Sequence, residues 1–271
     1  MKKIVVIGGA GYIGSALSIQ LAEDGHEVTV IDPNITEIIH LGIMHVRQKF
    51  ELCDIDLNQF DVVYHLADIA GIQKCEKLGY AEVTKRNVDL TRSVVRALSG
   101  NKKQTSLIYT SSSAIYAGAS LYSISKLQSE YLMGNYSRST CLRLGTVYGI
   151  SPRMREGVLV NDMIKQAVTT GELSLWHGYT KRPYAHIDSC VDILSRLVAG
   201  LPGNEENIFG ETMSKIHIAR LIVKVTGCVL KRELSPWRFA QNFTVEGLDM
   251  MRRYSMENDI KEIVEYYEKQ I

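Results

Sequence analysis

The chain of 271 residues sets 31 Lys and Arg against 30 Asp and Glu, so no global field steers it toward nucleic acid or an anionic membrane. Five cysteines, at 53, 75, 141, 190 and 228, are odd in number and form no CxxC pair, which predicts reduced thiols in a cytoplasmic setting, with neither a disulfide framework nor a metal site. No apolar stretch approaches the roughly 20 residues of a membrane-spanning helix, and the length suits one large domain or two small ones.

The first predicted element is a strand near 3–7, the apolar run Ile4-Val5-Val6-Ile7, and Gly8-Gly9-Ala10-Gly11-Tyr12-Ile13-Gly14 follows directly. A helix near 12–24 comes next and stops at Gly25. Strand, glycine turn and helix together cradle a pyrophosphate: one glycine makes the tight turn, one lets the backbone approach the phosphates, and one packs helix against strand. The expected contacts in this turn are Gly8, Gly11, Tyr12, Ile13 and Gly14. A second strand near 27–32 ends in Asp32, 18 residues after Gly14, where a carboxylate accepts hydrogen bonds from an adenosine ribose diol. Pro33 and Asn34 follow, so no cation stands ready for a 2′-phosphate and Asp32 repels one. The cofactor expected is NAD rather than NADP.

Further strands are predicted near 44–47, 61–65, 106–110 and 140–144, alternating with helices near 34–41, 80–99 and 121–135. This alternation predicts an α/β fold, a Rossmann-like doubly wound parallel sheet covered on both faces. After Gly149 the segments shorten and Pro and Gly punctuate them. Residues 1–150 are therefore expected to form the NAD-binding domain carrying the catalytic side chains. Residues 151–271 are expected to form a smaller substrate-binding portion, with the chain free to cross back to the sheet. A terminal amphipathic helix is predicted over 257–271.

The second informative segment is Tyr109-Thr110-Ser111-Ser112-Ser113-Ala114-Ile115-Tyr116, followed by Tyr122-Ser123-Ile124-Ser125-Lys126. Tyr122 and Lys126, four apart, share one helix face. A free tyrosine, with a pKa of roughly 10, is a poor base at neutral pH, and a neighbouring ammonium favours its phenolate. Such a tyrosine accepts the proton of a substrate hydroxyl as hydride leaves the same carbon, while a serine holds the oxygen. Alcohol oxidation is the chemistry these residue types point to. Tyr116 is a rival base, but position 120, four residues on, is Ser rather than Lys.

On these motifs the chain resembles the extended short-chain dehydrogenase/reductase family, in its NAD-dependent epimerase/dehydratase branch acting on nucleotide-activated sugars. The resemblance runs nearly the full length. It implies that Asp54 and Ile55 lie against the adenine, that Leu66 and Ala67 close the fourth strand beside the cofactor, and that Asn87 supports the active site. It implies Ser112, Tyr122 and Lys126 as the catalytic residues, with Tyr122 and Lys126 also touching the cofactor. Arg182, in Arg182-Pro183-Tyr184-Ala185-His186-Ile187-Asp188, is implied at the sugar nucleotide's pyrophosphate, a role suited to a guanidinium fork. Ile150 to Met163 is similar to a subgroup of nucleotide-sugar oxidoreductases working at C4. There Arg153, Arg155 and Asn161 are candidate contacts to diphosphate or base, although the arginines read equally well as solvated and Asn161 as a helix cap.

The chain also departs from the family. Tyr122 stands ten positions after Ser112, where most extended members insert a longer loop that shapes the pocket. Asp68 stands where Ala is commoner, either beside the cofactor or as a helix cap. Dehydratases place Thr-Asp-Glu where Ser112-Ser113-Ala114 stand, which argues against 4,6-dehydration. The function expected is an NAD-dependent nucleotide-sugar 4-epimerase passing through a transient 4-keto sugar. The alternatives are a C4 dehydrogenase or ketoreductase with net redox change, and a non-catalytic NAD-binding sensor. The resemblance further implies a homodimer, paired through the helices near 80–99 and 121–135.

Overall fold

The computed structural model describes residues 1–35, 43–52, 54–100, 104–155, 157–200, 205–209, 211–232, 248–249 and 255–271. Its first half alternates strands and helices: β1 (Lys3–Ile7), α1 (Tyr12–Glu23), β2 (Glu27–Ile31), β3 (Ile43–Val46), β4 (Val62–His65), α2 (Ile72–Leu78), α3 (Tyr80–Val83), α4 (Leu90–Leu98), β5 (Ser106–Ser112), α5 (Leu121–Met133) and β6 (Ser139–Leu144). Then follow β7 (Thr146–Tyr148), α6 (Leu159–Thr170), β8 (Glu172–Leu175), β9 (Lys181–His186), α7 (Ile187–Arg196), β10 (Glu205–Phe209), β11 (Glu211–Ser214), α8 (Lys215–Thr226), β12 (Val229–Arg232), β13 (Leu248–Asp249) and α9 (Met256–Glu268).

Among the described residues the main sheet has eight strands in the order β13-β10-β6-β5-β4-β1-β2-β3. Its pairings are all parallel. Parallel strands need crossover helices that cover both faces, so the central strands read as continuous apolar runs rather than alternating ones. Ile4, Val5, Val6 and Ile7 are all buried, and alternate residues feed two separate cores, Ile4 and Val6 on one face, Val5 and Ile7 on the other. The chain beyond residue 150 returns to this sheet, since β10 pairs with β6. The order reverses between β1 and β4, and in such sheets ligands sit beyond the strand ends at that switch point.

The helix expected near 80–99 is broken in an informative way. Gly79, at φ +79°, separates α2 from α3, and residues Thr84–Asp89 form a π-turn before α4. Short π segments of this kind are frequent at functional sites. The helix α2 was not among the sequence expectations. The helix expected near 34–41 falls almost wholly outside the described residues, as does Cys53. Among the described residues Cys75, Cys141, Cys190 and Cys228 are buried and none is joined in a disulfide. Among the described residues no helix is long and apolar enough to cross a membrane, and no group of His, Cys, Asp or Glu suits a metal ion.

Candidate active site

A cleft of about 700 Å³ opens at the carboxyl ends of the strands, lined at one end by the glycine turn and Asp32 and at the other by Ser112, Tyr122 and Arg182. Gly8 adopts φ +86°, and a Cβ there would stand 2.5 Å from the Ala67 backbone nitrogen. Only glycine lets β1 and the residues after β4 approach so closely. The Gly11 amide donates to the Gly8 carbonyl at 3.1 Å, closing the turn. Gly11 then caps α1 without a side chain, so the first-turn amides and the positive end of the helix dipole remain for a phosphate. Asp32 is buried at the end of β2, where its carboxylate accepts from Asn34 N at 2.8 Å and Ala10 N at 3.3 Å. An ionised carboxylate held this way keeps lone pairs for a ribose diol. The chain's own residues therefore fit NAD.

Gly8, Gly11, Tyr12, Ile13, Gly14, Leu66 and Ala67 all reach the cleft. Asp54 and Ile55 do not line it: Asp54 is exposed and Ile55 packs onto the core beneath the sheet beside Phe50. Asn87 also lies outside the cleft wall and works from behind. Buried in the π-turn, it accepts from Ile69 N at 2.8 Å and donates to Ile69 O at 3.3 Å and to Ser125 Oγ at 3.0 Å.

The chemistry-bearing side chains come from the end of β5 and the first turns of α5. Ser120 starts α5 with a capping box, its hydroxyl accepting from Ser123 N at 3.1 Å, which fixes the entry angle of the helix that carries Tyr122 and Lys126. Ser112 Oγ accepts from Ala114 N at 3.1 Å and, like Tyr122, lines the cleft. Lys126 is 2 % exposed; its Nζ donates to the Thr110 carbonyl at 2.6 Å, lies 4.6 Å from the Tyr109 ring centroid, and forms an ion pair with Asp68. Burial works against the charge on Lys126, but Asp68, Tyr109 and Tyr122 together outweigh it and hold the ammonium well above its ordinary pKa.

Tyr122 lies with its ring centroid 5.9 Å from Lys126 Nζ. Burial raises its phenol above the ordinary value; Lys126, the nearby Ser112 hydroxyl and Arg155 pull it down, while Asp68 pushes it up. The expectation from spacing was a phenol made acidic by its lysine. What differs is first the burial of the phenol and then Asp68, whose carboxylate works against the ammonium. The one sign of this in the sequence was the acid following His65-Leu66-Ala67.

The predicted substrate contacts divide. Arg182 lines the cleft, and its buried Nε has no hydrogen-bond partner, as suits a guanidinium awaiting an anion. Arg153 and Arg155 also line the cleft, but Arg153 donates to the Asn34 carbonyl at 3.3 Å, two residues beyond Asp32, and Arg155 to the Ala70 carbonyl at 2.9 Å. Asn161 is not brought there. It is fully buried within α6 and its amide is spent on Gly149 N (3.1 Å), Gly149 O (2.8 Å) and Tyr12 Oη (3.2 Å). Tyr116 lies outside the cleft wall, its hydroxyl accepting from Arg143 at 2.7 Å, while the same guanidinium grips Glu130 at 2.7 Å. Of Tyr116 and Tyr122, the two candidate bases, it is Tyr122 that lines the cleft.

A family model described as the NAD dependent epimerase/dehydratase family matches residues 4–208. The chain belongs to that family. It is an enzyme of a family that uses NAD. Among curated relatives it is 28% identical to a UDP-N-acetyl-alpha-D-glucosaminuronate decarboxylase of Bacillus cytotoxicus, over 79% of this chain and 74% of the relative. It is also 28% identical to a protein of Bacillus subtilis named "uncharacterized UDP-glucose epimerase YtcB", over 83% of this chain and 82% of that one. Among solved structures, a UDP-N-acetylglucosamine 4-epimerase from Methanobrevibacter ruminantium superposes with TM-score 0.86 at 20% identity, covering 100% of this chain and 99% of that chain. A UDP-glucuronic acid 4-epimerase from Bacillus cereus, complexed with NAD, gives TM-score 0.84 at 24% identity, covering 99% and 100%. At such identities the structural likeness speaks for the fold.

Proposed function

We propose that this enzyme is an NAD-dependent nucleotide-sugar epimerase working through a transient 4-keto sugar. The observation that carries the proposal is that Ser112, Tyr122 and Arg182 open on one cleft continuous with the glycine turn. Arg182, in the cleft wall, holds the diphosphate with its guanidinium, and the sugar then reaches toward Ser112. Tyr122 takes the proton of the C4 hydroxyl and Ser112 steadies that oxygen; Lys126 places positive charge beneath both. Bound NAD supplies the hydride acceptor at C4 and the hydride that returns. Tyr122 gives the proton back once the keto sugar presents its other face.

The relatives named for UDP-sugars set the test panel: UDP-glucose, UDP-N-acetylglucosamine and UDP-glucuronic acid. Each is incubated with enzyme and NAD while the sugar is followed by NMR and NADH by absorbance. A C4-inverted product without accumulating NADH supports the proposal. Stoichiometric NADH, or release of carbon dioxide from the uronate, overturns it in favour of net oxidation or decarboxylation.

The proposal includes a homodimer. Ile124, Leu127 and Tyr131 are 36%, 47% and 80% exposed on α5, and their spacing of three and four places them in one stripe. A stripe of this kind on a monomer marks an association surface. Light scattering after gel filtration should give twice the chain mass, and Leu127→Glu with Tyr131→Glu should halve it.

A further inference from the structure

Asp68 has a place in the cleft that the reaction just proposed leaves unexplained. It follows β4, lines the cleft near Ala67, and its side chain is only 11% exposed. Its partner is Lys126, and that ammonium has two further holders, the Thr110 carbonyl at 2.6 Å and the face of Tyr109. Asp68 itself is aimed by the residue after it, since Ile69 is gripped on both backbone atoms by Asn87, which also bonds Ser125, the residue before Lys126. One buried amide thus sets the spacing of acid and base.

We propose that Asp68 is a positioning residue for the C4 chemistry, clamping Lys126 to the floor formed by β5 and setting the pH range over which Tyr122 exchanges its proton. The proposal rests on the epimerase reading. A lone ammonium beneath Tyr122 would favour the phenolate, whereas an ammonium already paired does so far less, because the carboxylate acts on the same phenol with opposite sign. A phenol held high returns its proton readily, which an epimerase needs as much as the abstraction. The other polar and charged groups around the pair are Tyr109, Ser112 and His65 from the strands, Lys74, Cys75 and Glu76 from α2, and Arg155 from the segment after β7. Arg155 acts on Tyr122 in the same sense as Lys126, so cationic influence is already present and Asp68 is the anion that opposes it.

The test compares Asp68→Asn, Asp68→Ala and Asp68→Glu with the parent in the NAD-loaded protein. Ultraviolet absorbance reports tyrosinate formation against pH, and the same titration on a Tyr122→Phe background isolates the Tyr122 transition. The acidic limb of turnover is recorded in parallel. With Lys126 still held by Thr110 and Tyr109, the Tyr122 transition should fall by about one pH unit in the Asn and Ala variants. The acidic limb should fall with it, and Glu should restore the parent value. A transition that stays in place or rises in folded Asp68→Asn or Asp68→Ala protein overturns the proposal. The titration needs no substrate, so a chain that turns over none of the panel sugars would defeat the epimerase reading while the tyrosinate shift still decides the role of Asp68.

Discussion

Asn87 Nδ2 donates to Ser125 Oγ at 3.0 Å across the gap between the π-turn and α5. Asn87 is buried within that π-turn and also bonds both backbone atoms of Ile69. Ala at this position leaves the buried Ile69 amide and carbonyl unpaired. Asn87→Ala should cost about 2–3 kcal/mol of stability, read from urea midpoints, and should lower kcat more than it raises the Kd for NAD. A variant with unchanged kcat would show that the spacing between Asp68 and Lys126 tolerates slack.

Asp32 predicts cofactor choice. Its removal deletes the acceptor for the ribose diol and the charge that repels a 2′-phosphate. Asp32→Ala should weaken NAD binding about 10- to 100-fold, the loss of one or two charge-assisted hydrogen bonds, and should narrow the preference over NADP. Calorimetric titration with both cofactors measures this; an unchanged ratio would place the discrimination elsewhere.

Tyr122→Phe keeps the ring and deletes the proton carrier. Turnover should fall by at least about 10²- to 10⁴-fold, the usual contribution of general acid–base catalysis, while NAD still raises the melting temperature. Ser112→Ala should retain more activity, because the phenol remains. Equal activity in parent and Tyr122→Phe would remove Tyr122 from the reaction.

Asp259 on α9 predicts a pH dependence remote from the cleft. It is buried beneath β7, accepts from Tyr148 Oη at 2.7 Å, and burial, aided by Glu262, raises its pKa to about 7. A carboxyl raised on folding stabilises the protein fully below its unfolded value of about 4, and that contribution is lost as pH rises through about 7. Asp259→Asn should therefore match the parent near pH 4 and be the more stable protein at pH 8, by at least about 1 kcal/mol. Melting curves across that range check it, and a parallel pH dependence in both proteins would refute it.

The parts of the site that sequence reading reached are those written in consecutive residues. A turn needing glycine at Gly8, an acid at a strand end at Asp32, and a tyrosine and lysine four apart on α5 each follow from local geometry. What it missed depends on residues far apart in the chain. Asn161 reads from sequence as a substrate contact or a helix cap, because nothing local shows that its amide is consumed by Gly149 and by Tyr12, which lies 149 positions away. Arg153 reaches Asn34 across 119 positions, and the pairing of Asp68 with Lys126 joins a loop to a helix. The fold was legible for the same reason that the turn was, since central strands such as β1 and β4 carry their parallel character in their own buried runs. The strand β10 has no such signature, and only its partner β6 makes it part of the sheet.

That partnership has a consequence for how the protein can be divided. The backbone of β6 has β5 on one side and β10 on the other, in register from Cys141 beside Glu205 to Leu144 beside Ile208. A fragment ending at residue 150 would leave one flank of β6 bare, a row of unmet amides and carbonyls at a sheet edge, which is a template for sticking to its own copies. Residues 1–150 therefore do not make a free-standing cassette: the strand that seals their sheet edge comes from beyond them.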